Sequence, residues 1–244
     1  MLALLTLWLV YEVATFPRLA RLRDANPQTT ALIEARLEEA RKAGKDARRV
    51  QQWVPLSRIN VNLQRAVLAG EDVNFPTHNG FDFEAIQKAW EEAQRDAEKE
   101  AKAEGDNDPN DWIPTMPSFK RGASTITQQL SKNLYLSNDR SFLRKGREAL
   151  ITYFMEKQLS KGRILEIYLN VIEWGDGIYG AEAAARTYFN KSAADLSAPE
   201  AAYLSAMIPG PLKALNPKIN PRRVRRRQRI IQRGMPYVRL PVLN

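Results

Sequence analysis

The chain has 244 residues, 44% apolar and 27% charged, enough for one good core with a terminal appendage. Twelve Gly and fourteen Pro exclude collagen-like or low-complexity material, and the apolar share argues against general disorder. With no Cys there can be no disulfide, thiolate metal site or Cys nucleophile, and a catalytic triad would have to use the single imidazole, His78.

The net charge of +9 is concentrated at one end. Residues 218–244 hold nine basic side chains and no acidic one, which leaves 28 basic against 28 acidic residues elsewhere. A neutral body with a basic end suggests contact with an anionic surface, either membrane or nucleic acid. A solvated amphipathic terminal helix is the plainer reading.

Met1 to Phe16 is apolar apart from Glu12 and a few weakly polar residues. As a helix it would span about 24 Å, short of the ~30 Å hydrocarbon core. No small-residue cleavage site follows, so residues 1–17 read as a membrane anchor rather than a removed leader. Arg18, Arg21 and Arg23 follow the apolar run and no basic side chain precedes it, against the positive-inside tendency. The expectation is therefore a remnant of an anchor whose start lies upstream.

Residues 18–53 read as a polar helical linker. Its helix, Ala31 to Ala43, stops at Gly44, where a left-handed cap fits. Val61 to Ala69 follows, with Asn60 as N-cap and Gly70 at its end. Asp82 caps a helix with Ile86, Trp90, Ala93 and Ala97 near one stripe. The charged stretch from Glu91 to Asp111 reads as an exposed helix fraying after Gly105. Trp112, Ile113, Met116 and Phe119, set among prolines, then form a loop that either dips into a lipid interface or packs on the body. Ser197-Ala-Pro-Glu200 has capping-box spacing, and Asn220-Pro221 opens a basic helix that Gly234 closes. No alternating strand pattern of any length competes, so the fold class is mainly α.

Three clusters can carry chemistry. In the first, Glu71, Asp72, Phe75, His78 and Asp82 lie between two helices. A carboxylate at a helix end, partly shielded by Phe75, could have its pKa raised enough to act as a base near neutrality; a polar capping turn explains the same residues. The second runs Arg121-Gly-Ala-Ser124-Thr125-Ile-Thr127-Gln128-Gln129-Leu-Ser-Lys132-Asn133. Thr125, Gln129 and Lys132 are spaced i, i+4, i+7 and share a face, so the segment reads as an anion site for phosphate or pyrophosphate, or as a capped amphipathic helix. In the third, Arg144 and Lys145 stand four and three residues before Glu148, so all three can converge. Alone it is an ordinary i,i+4 ion pair. Two carboxylates in different electrostatic surroundings are what glycosyl chemistry uses. Asp106-Asn-Asp108 is a weak metal motif in the charged insertion, and one His excludes most zinc enzymes.

In this order the clusters resemble glycosyltransferase family 51, the peptidoglycan polymerases. A fourth motif agrees: Ile164-Leu-x-x-Tyr168-Leu-Asn170, followed by Gly175-x-Gly177-x-x-Gly180 and Ala183-Ala-Ala-x-x-Tyr188-Phe189. The resemblance covers residues 54–216, with a charged insertion at about 91–119 longer than is usual and a basic helix and tail at 217–244. No Ser-x-x-Lys or Lys-Thr-Gly site is present, so the likeness is to the monofunctional members.

The family implies a lysozyme-like helical domain with an N-terminal membrane anchor, on the outer face of the bacterial inner membrane. It implies polymerisation of lipid II onto a growing glycan strand, with inversion at the anomeric carbon and release of undecaprenyl pyrophosphate. By that resemblance Glu71 is the general base, and Glu148 with Arg144 and Lys145 orients and offsets the leaving pyrophosphate. Thr125, Gln129 and Lys132 hold donor sugar or phosphate, Arg121, Ser124 and Gln128 also bind substrate, and Asp72, Phe75 and His78 shape the site. The implied partners are membrane lipids and other cell-wall synthesis proteins, not nucleic acid. No tightly bound cofactor is implied; a divalent cation, Mg or Mn, can assist at the pyrophosphate. A hydrolase on a similar fold with Glu71 as acid, and a basic-tailed binding scaffold, are the competing readings.

Overall fold

The computed structural model describes residue 10 and residues 14–104, 124–136 and 141–242. Most of the apolar N-terminal segment, the Trp112–Phe119 loop, Arg121 and Asp106-Asn-Asp108 lie outside the described residues. Among the described residues no helix is long and apolar enough to cross a membrane.

Helix α1 spans Ala31–Lys42. Thr30 starts it, its buried hydroxyl accepting the Ile33 N–H at 3.1 Å, and Gly44 follows its end with φ +63°. Removing such a cap costs ~1 kcal/mol. Thr30→Ala is therefore expected to lower the melting temperature by roughly 2–4 °C in a thermal unfolding experiment; an unchanged melting point would mean the cap adds nothing.

Helix α2 spans Val61–Glu71, started by Asn60, whose side chain accepts from Asn62 N. Gly70 does not end it. A Cβ there would meet Ser205 Oγ at 2.7 Å and Ile231 Cδ1 at 3.1 Å, so glycine allows helix-to-helix approach inside α2, and Glu71 becomes the terminal residue. Helix α3, Phe83–Glu104, starts at Asp82, which accepts from Ala85 N at 2.9 Å.

Helices α4 (Ile126–Tyr135), α5 (Phe142–Gln158) and α6 (Lys161–Val171) pack on one another, with α1 against α4. After α7 (Ala181–Phe189), α8 (Ala198–Met207) opens with the expected capping box: Glu200 Oε2 accepts from Ser197 N at 2.9 Å and from its hydroxyl at 2.7 Å. Helix α9, Pro221–Gly234, buries Val224 and Ile231 against α8 and α2.

The sequence reading missed a small sheet. Strand β1 (Val50–Gln51) pairs parallel with β3 (Ile178–Tyr179), which pairs antiparallel with β2 (Glu173–Gly175). Strands of two or three residues carry no measurable alternation, and β2 and β3 are fully buried, so neither announces itself. The fourth sequence motif is explained here. Asn170, fully buried, accepts from Val54 N and donates to Val54 O, both at 2.9 Å, tying α6 to the segment before α2. Gly180 turns at φ +82° against the Asn170 carbonyl, where a Cβ would sit only 2.6 Å away. The core runs through both helix groups, with Trp174, Tyr168, Tyr179 and Phe75 its largest fully buried side chains.

Candidate active site

A groove of about 1080 Å³ lies between these groups, lined by Glu71 from α2, Ser124, Gln129 and Lys132 beside and on α4, and Tyr168 from α6. Glu71 is the acidic residue that the end of α2 brings to it. Its side chain is 8% exposed; Oε1 accepts from Arg227 Nη2 at 2.8 Å and Oε2 from Gln129 Nε2 at 3.1 Å. The Gln129 amide is oriented in turn by the buried Tyr168 hydroxyl, which donates to Gln129 Oε1 at 2.8 Å. Arg227 also donates to the Gly70 carbonyl at 2.8 Å, locking the end of α2. Burial pushes the Glu71 carboxyl above the ordinary glutamate range; Arg227 and Gln129 work in the opposite direction, and Asp72 adds to the rise. The Tyr168 hydroxyl is likewise raised by burial, then by Glu71 and Asp72, and stays a donor.

Asp72 faces away from the groove and joins two motifs. Its Oδ1 lies 2.9 Å from His78 Nε2, and its Oδ2 accepts from the Ile126 N–H at 2.9 Å, the first residue of α4. His78 Nδ1 accepts from Gly80 N at 3.1 Å, so the ring proton sits on Nε2 and points at Asp72. Phe75 is core, with Lys161 Nζ 4.4 Å from its ring centroid. Thr125 and Gln128 form a reciprocal capping box at the start of α4, and the Thr125 hydroxyl donates to the Gly80 carbonyl at 2.7 Å. Thr125 is therefore not on the groove face with Gln129 and Lys132, because the N-cap residue precedes the helix and its hydroxyl is already engaged. The structure gathers Asp72, Phe75, His78, Thr125 and Gln128 into a buried support beneath the groove.

Lys132 lies one turn beyond Gln129, about 4.5 Å along α4. Desolvation lowers its ammonium pKa, the Glu148 carboxylate opposes this, and Arg144 and Lys145 add to the lowering. Glu148 is 3% exposed and both its oxygens are held, Oε2 by Arg144 Nη1 at 2.7 Å and Oε1 by Lys145 Nζ. Its carboxylate thus aligns two cations beside a third. Arg144 Nε is buried without a partner among the described residues. Among the described residues no three His, Asp or Glu side chains converge, and Glu71 and Glu148 each accept from cationic side chains.

The sequence reading missed Arg227, and with it Arg223 and Arg226, which line the groove from α9. A signal was present. Val224, Arg227 and Ile231 are spaced i, i+3, i+7, so Arg227 sits on the stripe that α9 buries, where a solvated arginine has no place.

Comparison with known proteins agrees with this geometry. A family model described as transglycosylase matches residues 38–105 and 113–236. A Bordetella avium protein named biosynthetic peptidoglycan transglycosylase is 43% identical over 99% of this chain and 93% of its own length. Proteins of the same name from Thiobacillus denitrificans and Laribacter hongkongensis are 45% and 42% identical, each over 98% of this chain and 94% and 96% of theirs. On the extent of these matches, the chain belongs to the transglycosylase family.

Proposed function

We propose that this transglycosylase of cell-wall synthesis polymerises lipid II, with Glu71 as the general base. The observation that carries the reading is the Glu71 carboxylate, buried yet open to a groove that Lys132 also lines, with Arg144, Lys145 and Glu148 close enough to Lys132 to shift its pKa. Arg227 and Gln129 each occupy one lone pair of that carboxylate, leaving others for the acceptor sugar hydroxyl. Glu71 takes the hydroxyl proton, and the oxygen attacks the anomeric carbon of the lipid-linked donor from the face opposite the leaving group. The C–O bond to the diphosphate breaks, the electron pair leaves with the phosphate oxygen, and the anomeric centre inverts. Arg144, Lys145 and Lys132 meet the growing negative charge with fixed positive charge, which needs little reorganisation.

Attachment to the inner membrane, with the domain on its outer face, belongs to the same proposal. Leu143, Leu150 and Phe154 form an exposed apolar stripe on α5, spaced i, i+7, i+11, and Phe16 packs edge-on against Phe154 at 5.4 Å. Thr15 and Phe16 thus lie against the side of α5 that carries this stripe and Arg147, which donates to the Thr15 carbonyl at 2.8 Å. Arg222, Arg225, Arg229 and Arg233 are exposed on another side of α9 and can meet anionic headgroups.

The test is product analysis. Incubated with lipid II, the protein is expected to yield linear glycan and free undecaprenyl pyrophosphate, without cross-linking peptides. Offered finished strands, it leaves them intact. Cleaved strands with no polymer from lipid II would instead establish a hydrolase.

A further inference from the structure

The groove has a second cationic wall, which the reaction above does not use. Lys213, Arg223 and Arg226 line it on the α9 side, and among the described residues none has a carboxylate partner, whereas Arg227 is held by Glu71. Arg223, Arg226, Arg227 and Ile230 are spaced i, i+3, i+4, i+7 and form one face of α9 turned to the groove. Arg222 and Arg225 are exposed outside it. Ile172, Ile208, Pro209 and Leu212 give the same groove apolar lining. Arg36 and Glu173, which also line it, pair through two contacts at 3.1 and 3.2 Å.

The location decides what this wall holds. On the reading above, the lipid-linked diphosphate belongs beside Lys132, Arg144 and Lys145, at the α5 end. Helix α9 packs on α8 and α2 instead, so its wall lies along the rest of the groove. A groove of about 1080 Å³ also exceeds what one small ligand fills. Polymer must occupy the remainder, and peptidoglycan carries peptides with free carboxylates on alternate sugars.

We propose that Lys213, Arg223 and Arg226 grip the peptide carboxylates of the newly made strand while its sugar faces lie on the apolar surface, so that product stays in the groove between additions. This rests on the transferase reading and names the part of the substrate that the basic helix recognises.

The test compares binding to the full chain of a soluble glycan oligomer carrying its peptides with the same oligomer stripped of them. The intact oligomer is expected to bind roughly tenfold more tightly, from two or three partly exposed ion pairs. R223Q/R226Q erases that preference and shortens the strands made from lipid II, while R58Q/R65Q, with the same loss of charge at exposed positions outside the groove, keeps both. Equal affinity for the two oligomers, no binding of either, or equal losses in both double variants would overturn the proposal. So would displacement of the intact oligomer by inorganic pyrophosphate, which would make this wall a phosphate site. If the wild-type chain shows the peptide-dependent binding but makes no polymer, the transferase reading fails and the strand-binding wall stands.

Discussion

Replacing Glu71 with Gln is expected to lower lipid II polymerisation by on the order of a hundredfold or more, the usual contribution of a general base. The amide keeps the size of the carboxyl and can still accept from Arg227, but it cannot take a proton at neutral pH. Stability separates this loss from unfolding. Glu71 titrates above its ordinary value in the fold because burial disfavours its charge, with Arg227 and Gln129 opposing that rise. Its contribution to folding is therefore complete at low pH and is lost as pH rises through the raised value. Gln is neutral throughout and has no such loss, so E71Q should melt no lower than wild type near pH 7. A variant that keeps polymerising at more than a tenth of the wild-type rate would remove Glu71 from the mechanism.

Arg227→Gln should act on the same group through its charge. Arg227 is the strongest influence holding the Glu71 pKa down against burial, with its Nη2 2.8 Å from Oε1. Without it the carboxyl titrates higher still. The acid limb of the rate profile then moves to higher pH, and the rate near neutrality falls roughly tenfold or more, recovering as the pH is raised. R227K, which keeps a positive charge at a less suited geometry, should lie between the two. A loss of packing alone would scale the whole profile down without moving it. An acid limb that stays in place in R227Q would show that Arg227 braces the helix end and does not tune the base.

What could be read from the chain follows the range of each signal. Caps at Asn60, Asp82 and Ser197 are local and fell where expected, as did the opening of the basic helix at Asn220-Pro221. Gly70 looked like a stop because a glycine after an apolar run usually is one; only the distant Ser205 and Ile231 make it a contact residue. Thr125 and Gln128 were read as ligands of the substrate, although Thr-x-x-Gln is itself a helix-start signature, and the hydrogen bonds give them that duty. Glu71 draws attention in the sequence because it stands in a motif. Arg227, 156 residues away, was one of a run of arginines, and its partner becomes visible only when α9 lies against α2.

Asp72 gives the site a property that its groove-facing neighbours do not. One carboxylate closes the turn after the proposed base, through His78, and also receives the first N–H of the helix bearing Gln129 and Lys132. The turn that follows Glu71 and the start of the helix bearing Lys132 thus hang on one buried side chain, so loosening it is expected to disturb both together.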